Sequence, residues 1–278
     1  MFQTTMVTAN AAAYDLSKED IWFGHNDQLG NIMNWLPRWL GEAYSRLWAS
    51  QGQDAFDVDT AAKVIQKSST STRTILSRLE NSGFVIRVSH GVYMLLDPQY
   101  VVAEAADAAG LGSLRGTAYE DMLRGLMSCL FRHFGERLLS VIVFGSVARG
   151  TPSLNSDIDV LVVVKDWDKS VLERAEEVAG VEAHLSPLRN KLWLKHGMLA
   201  PIQFLTLDSA DADRMRPLYL DMSVDGIILF DRNQFMRSVL ERLKKRLEEL
   251  GARRVQLPDQ SWYWVLKPGL KMGEVVEI

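Results

Sequence analysis

The stretch 141–164 holds the side chains best able to do chemistry. Gly145-Ser146 closes one apolar run; after ten intervening residues, Asp157 and Asp159 open a second. Glycine lets an anion approach the backbone, and amides exposed where a strand turns into a helix meet that anion with a favourable dipole. Ser146 adds a hydroxyl donor. Asp157 and Asp159 stand two apart in a segment that reads as a strand, so both carboxylates fall on one face while Ile158 points into the core. Two hard oxygen ligands beside a phosphate cradle suit Mg²⁺ that also holds substrate phosphates. The chemistry so served is phosphoryl or nucleotidyl transfer, by alignment and electrostatic stabilisation. Alone, an Asp-x-Asp reads as a strand-end cap; joined to Gly-Ser at this spacing, between two apolar strands, it reads as a site.

The elements that must hold these residues follow from periodicity. Thr117-x-x-Glu120 has the capping-box pattern and opens a helix with Leu123, Leu126, Met127, Leu130, Phe131 and Phe134 on one face. Cys129 lies in that pattern and reads as a small core residue rather than a nucleophile. Leu138–Phe144 and Asp157–Val164 are the two strands, 166–180 is helical, and further strands are expected over Pro201–Leu207 and Asp225–Phe230. Asp231 caps a regular helix that runs to Leu250 and stops at Gly251; the tail from Trp262-Tyr263-Trp264 reads as an aromatic strand or arm packing back. His184, Arg189, Lys191, Lys195 and His196 form a basic cluster, read as a solvated helix face from which one lysine could reach a triphosphate.

Three glycines between Gly110 and Gly116 mark a boundary. Before it, Asn34–Ala49 has a helical stripe, and a short helix follows over Asp59–Ile65 with Asp59 or Thr60 as cap. A hydroxyl-rich turn (66–72) leads into a helix ending at Gly83, and strands 84–88 and 92–96 flank Ser89-His90-Gly91. This order resembles the winged helix-turn-helix family over residues 42–97. The resemblance implies that the third helix can enter a major groove, with Lys67, Ser71, Arg73 and Arg78 as nucleic-acid-binding candidates. Winged helices also serve as protein docking modules.

The catalytic stretch resembles the nucleotidyltransferase superfamily related to DNA polymerase β, in particular its small prokaryotic members. That resemblance implies that Gly145 and Ser146 bind the phosphates of a nucleoside triphosphate, ATP above all. It implies that Asp157 and Asp159 bind Mg²⁺ and carry catalysis, and that a nucleoside monophosphate is transferred with release of pyrophosphate. Arg149 and Ser156 match the motif as nucleotide-binding positions, each with a structural alternative. The family often supplies a third carboxylate from a later strand, where this sequence has Gln203; Asp208, Asp221 and Asp225 are substitutes by proximity in sequence. The C-terminal segment resembles the ending of archaeal proteins that carry this domain.

The expected fold is thus of α+β/α/β class: a winged helix-turn-helix domain followed by a polymerase β-like domain with a mixed sheet. The divisions are 1–110, 111–230, and 231–278 for the C-terminal helix and aromatic extension. The leading function is Mg²⁺-dependent transfer of a nucleotide, AMP in particular, to a protein or nucleic-acid acceptor. The alternative is a DNA-binding regulator whose second domain senses nucleotide without turnover. Composition bounds both. The 278 residues are 47% hydrophobic with a net charge of −4, and residues 1–110 hold 8 Lys+Arg against 12 Asp+Glu, which argues against strong nonspecific nucleic-acid binding. The longest purely apolar run, Val160–Val164, is far short of the ~18 residues of a membrane span. The start of the chain lacks a basic region before an apolar stretch, so a cytoplasmic location is expected. The sequence leaves the oligomeric state open.

Overall fold

Apolar residues of both parities fill the strand Ile158–Val164, the mark of a strand buried on two faces. Ile158, Val160, Val162 and Val164 belong to one core, while Leu161 and Val163 belong to another. The computed structural model describes residues 36–259, 261–269 and 275–276. The first residues of the chain, Asn34 and Trp35 of the first expected helix, and most of the tail beyond 269 lie outside them.

The chain begins with α1 (Arg38–Gln51), β1 (Phe56–Asp57), α2 (Val58–Ile65) and α3 (Ser69–Asn81), then the hairpin β2 (Val85–Ser89) and β3 (Val92–Leu95). The cap of α2 is Asp57, whose carboxylate accepts from Thr60 N, rather than Asp59 or Thr60. β1 pairs with β3, so the small sheet has the order β1-β3-β2. The hairpin loop is shorter than expected, because Ser89 belongs to β2, and Gly91 turns it at φ +73°. Leu76 and Leu79 of α3 pack against Leu47, Val85 and Leu95.

After α4 (Pro98–Ala105) come α5 (Glu120–Phe134) and β4 (Leu138–Phe144), the short turn α6 (Gly145–Ala148), and β5 (Ile158–Val164). The order continues with α7 (Val171–Ala183), α8 (Ser186–His196), β6 (Ile202–Asp208), α9 (Ser209–Ala212) and α10 (Leu218–Asp225). It ends with β7 (Ile227–Asp231), α11 (Phe235–Leu250) and the hairpin β8 (Arg253–Gln256) and β9 (Trp262–Val265). The main sheet has the order β6-β5-β4-β7; β5 and β6 are parallel, and the other pairs antiparallel, so the sheet is mixed as expected.

Thr117 and Glu120 do not form a capping box. Thr117 Oγ1 donates to Leu114 O, and Glu120 accepts from Gly116 N, so the two residues brace the preceding turn. The true capping box is Ser170/Glu173 at the start of α7, where the helix begins five residues later than expected because Asp166 is left-handed (φ +53°). Asp231 does cap α11, at a distance: it ends β7, and its carboxylate accepts from Met236 N and Arg237 N across an intervening turn. The segment expected as a strand from Asp225 begins at Ile227, since Asp225 closes α10.

One sheet face packs on α5, α7 and α8; the other packs on α10 and α11. The first core also takes in Ile86, Val88 and Met94 of the β2–β3 hairpin. Leu123, fully buried in α5, sits in this core. Leu123→Ala is expected to cost about 2–5 kcal/mol from lost burial and the cavity left behind, read as a lower urea midpoint with an unchanged slope.

Candidate functional site

Asp159 shares its strand face with Leu161 and Val163, which pack toward α10 and α11. Asp157 precedes the first residue of β5, whose position is fixed by the Ile158 N to Pro201 O hydrogen bond of 2.8 Å. Both carboxylates are half-buried. The Asp159 carboxyl is held above the ordinary carboxylate value by desolvation first and by the negative charge of Asp157 second; Arg149 offsets part of this. The two acids therefore lie close enough to repel.

Gly145 packs against Asp159. It sits at φ +73° in α6, directly after β4, and a Cβ placed on it would lie 2.0 Å from Asp159 Oδ2. Any larger side chain there would have to push the Asp159 carboxylate aside. Ser146 is half-buried. Arg149 and Thr151 tie the loop back on the turn through Arg149 N to Gly145 O (3.2 Å) and Thr151 N to Ser146 O (3.0 Å). Ser156 has its hydroxyl engaged within the loop: it accepts from Ser153 N at 2.8 Å and lies 3.1 Å from Ser153 Oγ. That contact orients the loop entering Asp157.

Parallel pairing sets Gln203 directly beside Asp159, so the neighbouring-strand position is an amide. The three substitutes considered from sequence are committed elsewhere. Asp208 accepts from Trp167 N and Ala210 N, both at 2.8 Å. Asp221 accepts the indole N–H of Trp262 (2.9 Å) and of Trp264 (3.1 Å). Asp225 pairs with Arg254 at 2.9 Å. Among the described residues no group of three or more His, Cys, Asp or Glu side chains could hold a metal ion. The available donors are two hard carboxylates, which fits a Mg²⁺ that draws its remaining ligands from water and substrate phosphates.

The tryptophans of the C-terminal hairpin are the part that sequence reasoning missed. Trp262 lies in cation–π contact with Arg149 (4.7 Å) and Arg254 (3.9 Å), which brings β9 to the loop after Gly145-Ser146. An aromatic arm packing back was legible in Trp-Tyr-Trp; its partner, more than a hundred residues earlier in the chain, was not. In the basic cluster, Arg189 pairs with Glu182, and Lys191 bridges Asp121 (2.6 Å) and the Arg87 carbonyl. These two cations serve packing of α8. Cys129 is buried in the core, and its thiol is pushed up to about 12 by desolvation first.

The nucleic-acid candidates all lie on or just before α3. Lys67, Ser71, Arg73 and Arg78 are exposed. Ser71 is also part of the helix cap, its amide donating to Ser68 Oγ, and Arg78 stacks over Trp39 at 5.2 Å.

A glycine turn, a carboxylate pair and a mixed sheet define a class, and residues 129–208 match the nucleotidyltransferase domain family. That match, to a family of enzyme domains, supports an enzyme. The chain is similar to a candidate protein adenylyltransferase of Methanocaldococcus jannaschii, MJ1305, at 29% identity over 118 residues, covering 42% of this chain and 75% of that protein. Among solved structures it is similar to a variant of the toxin–antitoxin pair MntA–HpeT (17% identity, 48% of this chain, 92% of that chain, TM-score 0.31). Another is a candidate nucleotidyltransferase from Sulfolobus solfataricus (23% identity, 42% and 89% covered, TM-score 0.26). No helix among the described residues is long and apolar enough to cross a membrane.

Proposed function

We propose that the protein transfers a nucleoside monophosphate, AMP in particular, from a triphosphate to a protein or nucleic-acid acceptor. The observation that carries this reading is the packing of Gly145 against the Asp159 carboxylate, which brings the glycine turn after β4 directly onto the acidic end of β5. The adenylyltransferase relative supports AMP as the group moved. Gly145 and Ser146 receive the β- and γ-phosphates, and Arg149 supplies the cation nearest that turn. Asp157 and Asp159 would hold Mg²⁺, which would supply positive charge to offset that of the phosphates. Gln203 has no basicity at neutral pH, so the acceptor's proton leaves to solvent or to a group the acceptor brings with it.

A second reading is favoured by two features together: Gln203 in place of a carboxylate, and the exposed hydroxyls and arginines of α3. On this reading residues 42–97 form a winged helix that binds DNA through Lys67, Ser71, Arg73 and Arg78, and the nucleotidyltransferase domain senses nucleotide without turnover.

The test is incubation of the purified protein with each α-labelled nucleoside triphosphate, Mg²⁺ and a lysate of its own source, beside Asp157→Ala/Asp159→Ala. A labelled species made only by the wild type is expected, and its size identifies the acceptor class. Triphosphate binding without label from any of the four nucleotides would move the conclusion to the sensor.

A further inference from the structure

A cavity of about 710 Å³ opens between the loop after Gly145-Ser146 and the β8–β9 hairpin, within the usual range of a small-molecule site. Its walls include Arg149 and Thr151 from the loop, and Arg254, Gln256, Ser261 and Trp262 from the hairpin. Their charges are not equally available. Arg254 is neutralised by Asp225, and Asp259 accepts from both the amide (3.0 Å) and the hydroxyl (2.6 Å) of Ser261. The Trp262 ring is occupied by the two guanidinium groups, with its N–H given to Asp221. Arg149 has no salt-bridge partner among the described residues, and its backbone N–H donates to Gly145 O, which ties this wall of the cavity to the Gly145-Ser146 turn. The Gln256 side-chain amide and the Thr151 hydroxyl have no hydrogen-bond partner among the described residues. The cavity is thus cationic where Arg149 lines it, and beyond that it offers the polar groups of Gln256, Thr151 and Ser261 with the ionised Asp259 carboxylate, all acceptors or donors for hydroxyl and amine groups.

That gradient matches one class of ligand. A nucleoside triphosphate is anionic at one end and carries neutral hydroxyl, amine and carbonyl groups at the other. We propose that this cavity receives the ribose and base of the donor nucleotide, with Gln256 and Thr151 as the residues that read them, and with Trp262 as a positioning residue that holds Arg149 at the phosphate end. The inference rests on the nucleotidyl-transfer reading above, and makes the C-terminal hairpin the part of the chain that selects the nucleotide.

The experiment compares two ligands in the full chain, each with Mg²⁺: a non-hydrolysable ATP analogue and inorganic tripolyphosphate, which has the phosphates and no nucleoside. Gln256→Trp fills the cavity from an exposed position on β8. It should weaken the analogue at least tenfold and leave tripolyphosphate within twofold. Thr151→Trp, from the loop, should do the same, and guards against a fault peculiar to the hairpin. Unchanged affinity for the analogue in both variants, or equal losses for both ligands, would overturn the nucleoside subsite while leaving nucleotidyl transfer standing. Binding of neither ligand by the wild type would overturn the nucleotide reading itself.

Discussion

Asp159→Asn is expected to lower nucleotidyl transfer by about 10²–10³-fold while raising thermal stability at neutral pH in metal-free buffer. The two effects share one cause. Desolvation and the Asp157 charge raise the Asp159 pKa in the folded protein above its unfolded value. The folded chain therefore binds this proton more tightly than the unfolded chain does. The stabilisation so gained is complete below the unfolded pKa and lost as pH rises through the folded pKa. At neutral pH the ionised carboxylate is kept at the expense of stability, and asparagine removes that penalty. The melting temperature of the variant should exceed that of the wild type at pH 7, and the gap should close as the buffer is made acidic. A variant that is both inactive and less stable at pH 7 would mean that Asp159 is structural.

Gly145→Ala should be the second large effect. The added methyl would sit 2.0 Å from Asp159 Oδ2, on a backbone at φ +73°. Left-handed alanine costs about 1–2 kcal/mol, and relieving the overlap costs about 1–3 kcal/mol more. Relief requires the carboxylate to move by an ångström or so, a displacement worth about 100-fold in rate. Gly150 supplies the control within the same loop. It has the same φ of +73°, but a Cβ there meets nothing within 4 Å. Gly150→Ala should therefore show the backbone cost alone, with activity within a few-fold of wild type. Equal activity losses at the two positions would show that loop flexibility, rather than the contact with Asp159, is what the glycines supply.

The candidate site could be proposed from the sequence because its residues are local in the chain. Gly145, Ser146, Asp157 and Asp159 lie on one strand–turn–loop–strand unit, and the alternation of β5 alone sets the face of Asp159. The expectation for Gln203 also survived, since the apolar run from Ile202 pairs in parallel with β5 in the register that sets the amide beside Asp159. What was not legible depends on distance along the chain. β1 is two residues long and exists only because β3 pairs with it. The Thr117-x-x-Glu120 pattern looks like a capping box, but the turn before α5 uses both groups; the box forms at Ser170-x-x-Glu173, inside a segment whose helical period extends back to 166. The role of Trp262 could not be read from the tail at all. Its ring is defined by arginines in two other segments and its N–H by α10, contacts that no sequence period encodes.

Nucleotidyl transfer at Gly145-Ser146 and Asp157/Asp159 is tested most directly by the position of the label. Parallel reactions with α-labelled and γ-labelled ATP, Mg²⁺ and the source lysate should give an acceptor labelled from the α-phosphate and not from the γ-phosphate, with the signal lost in Asp157→Ala/Asp159→Ala. Label arriving from the γ-phosphate, or α-label undiminished in the double variant, would contradict the account.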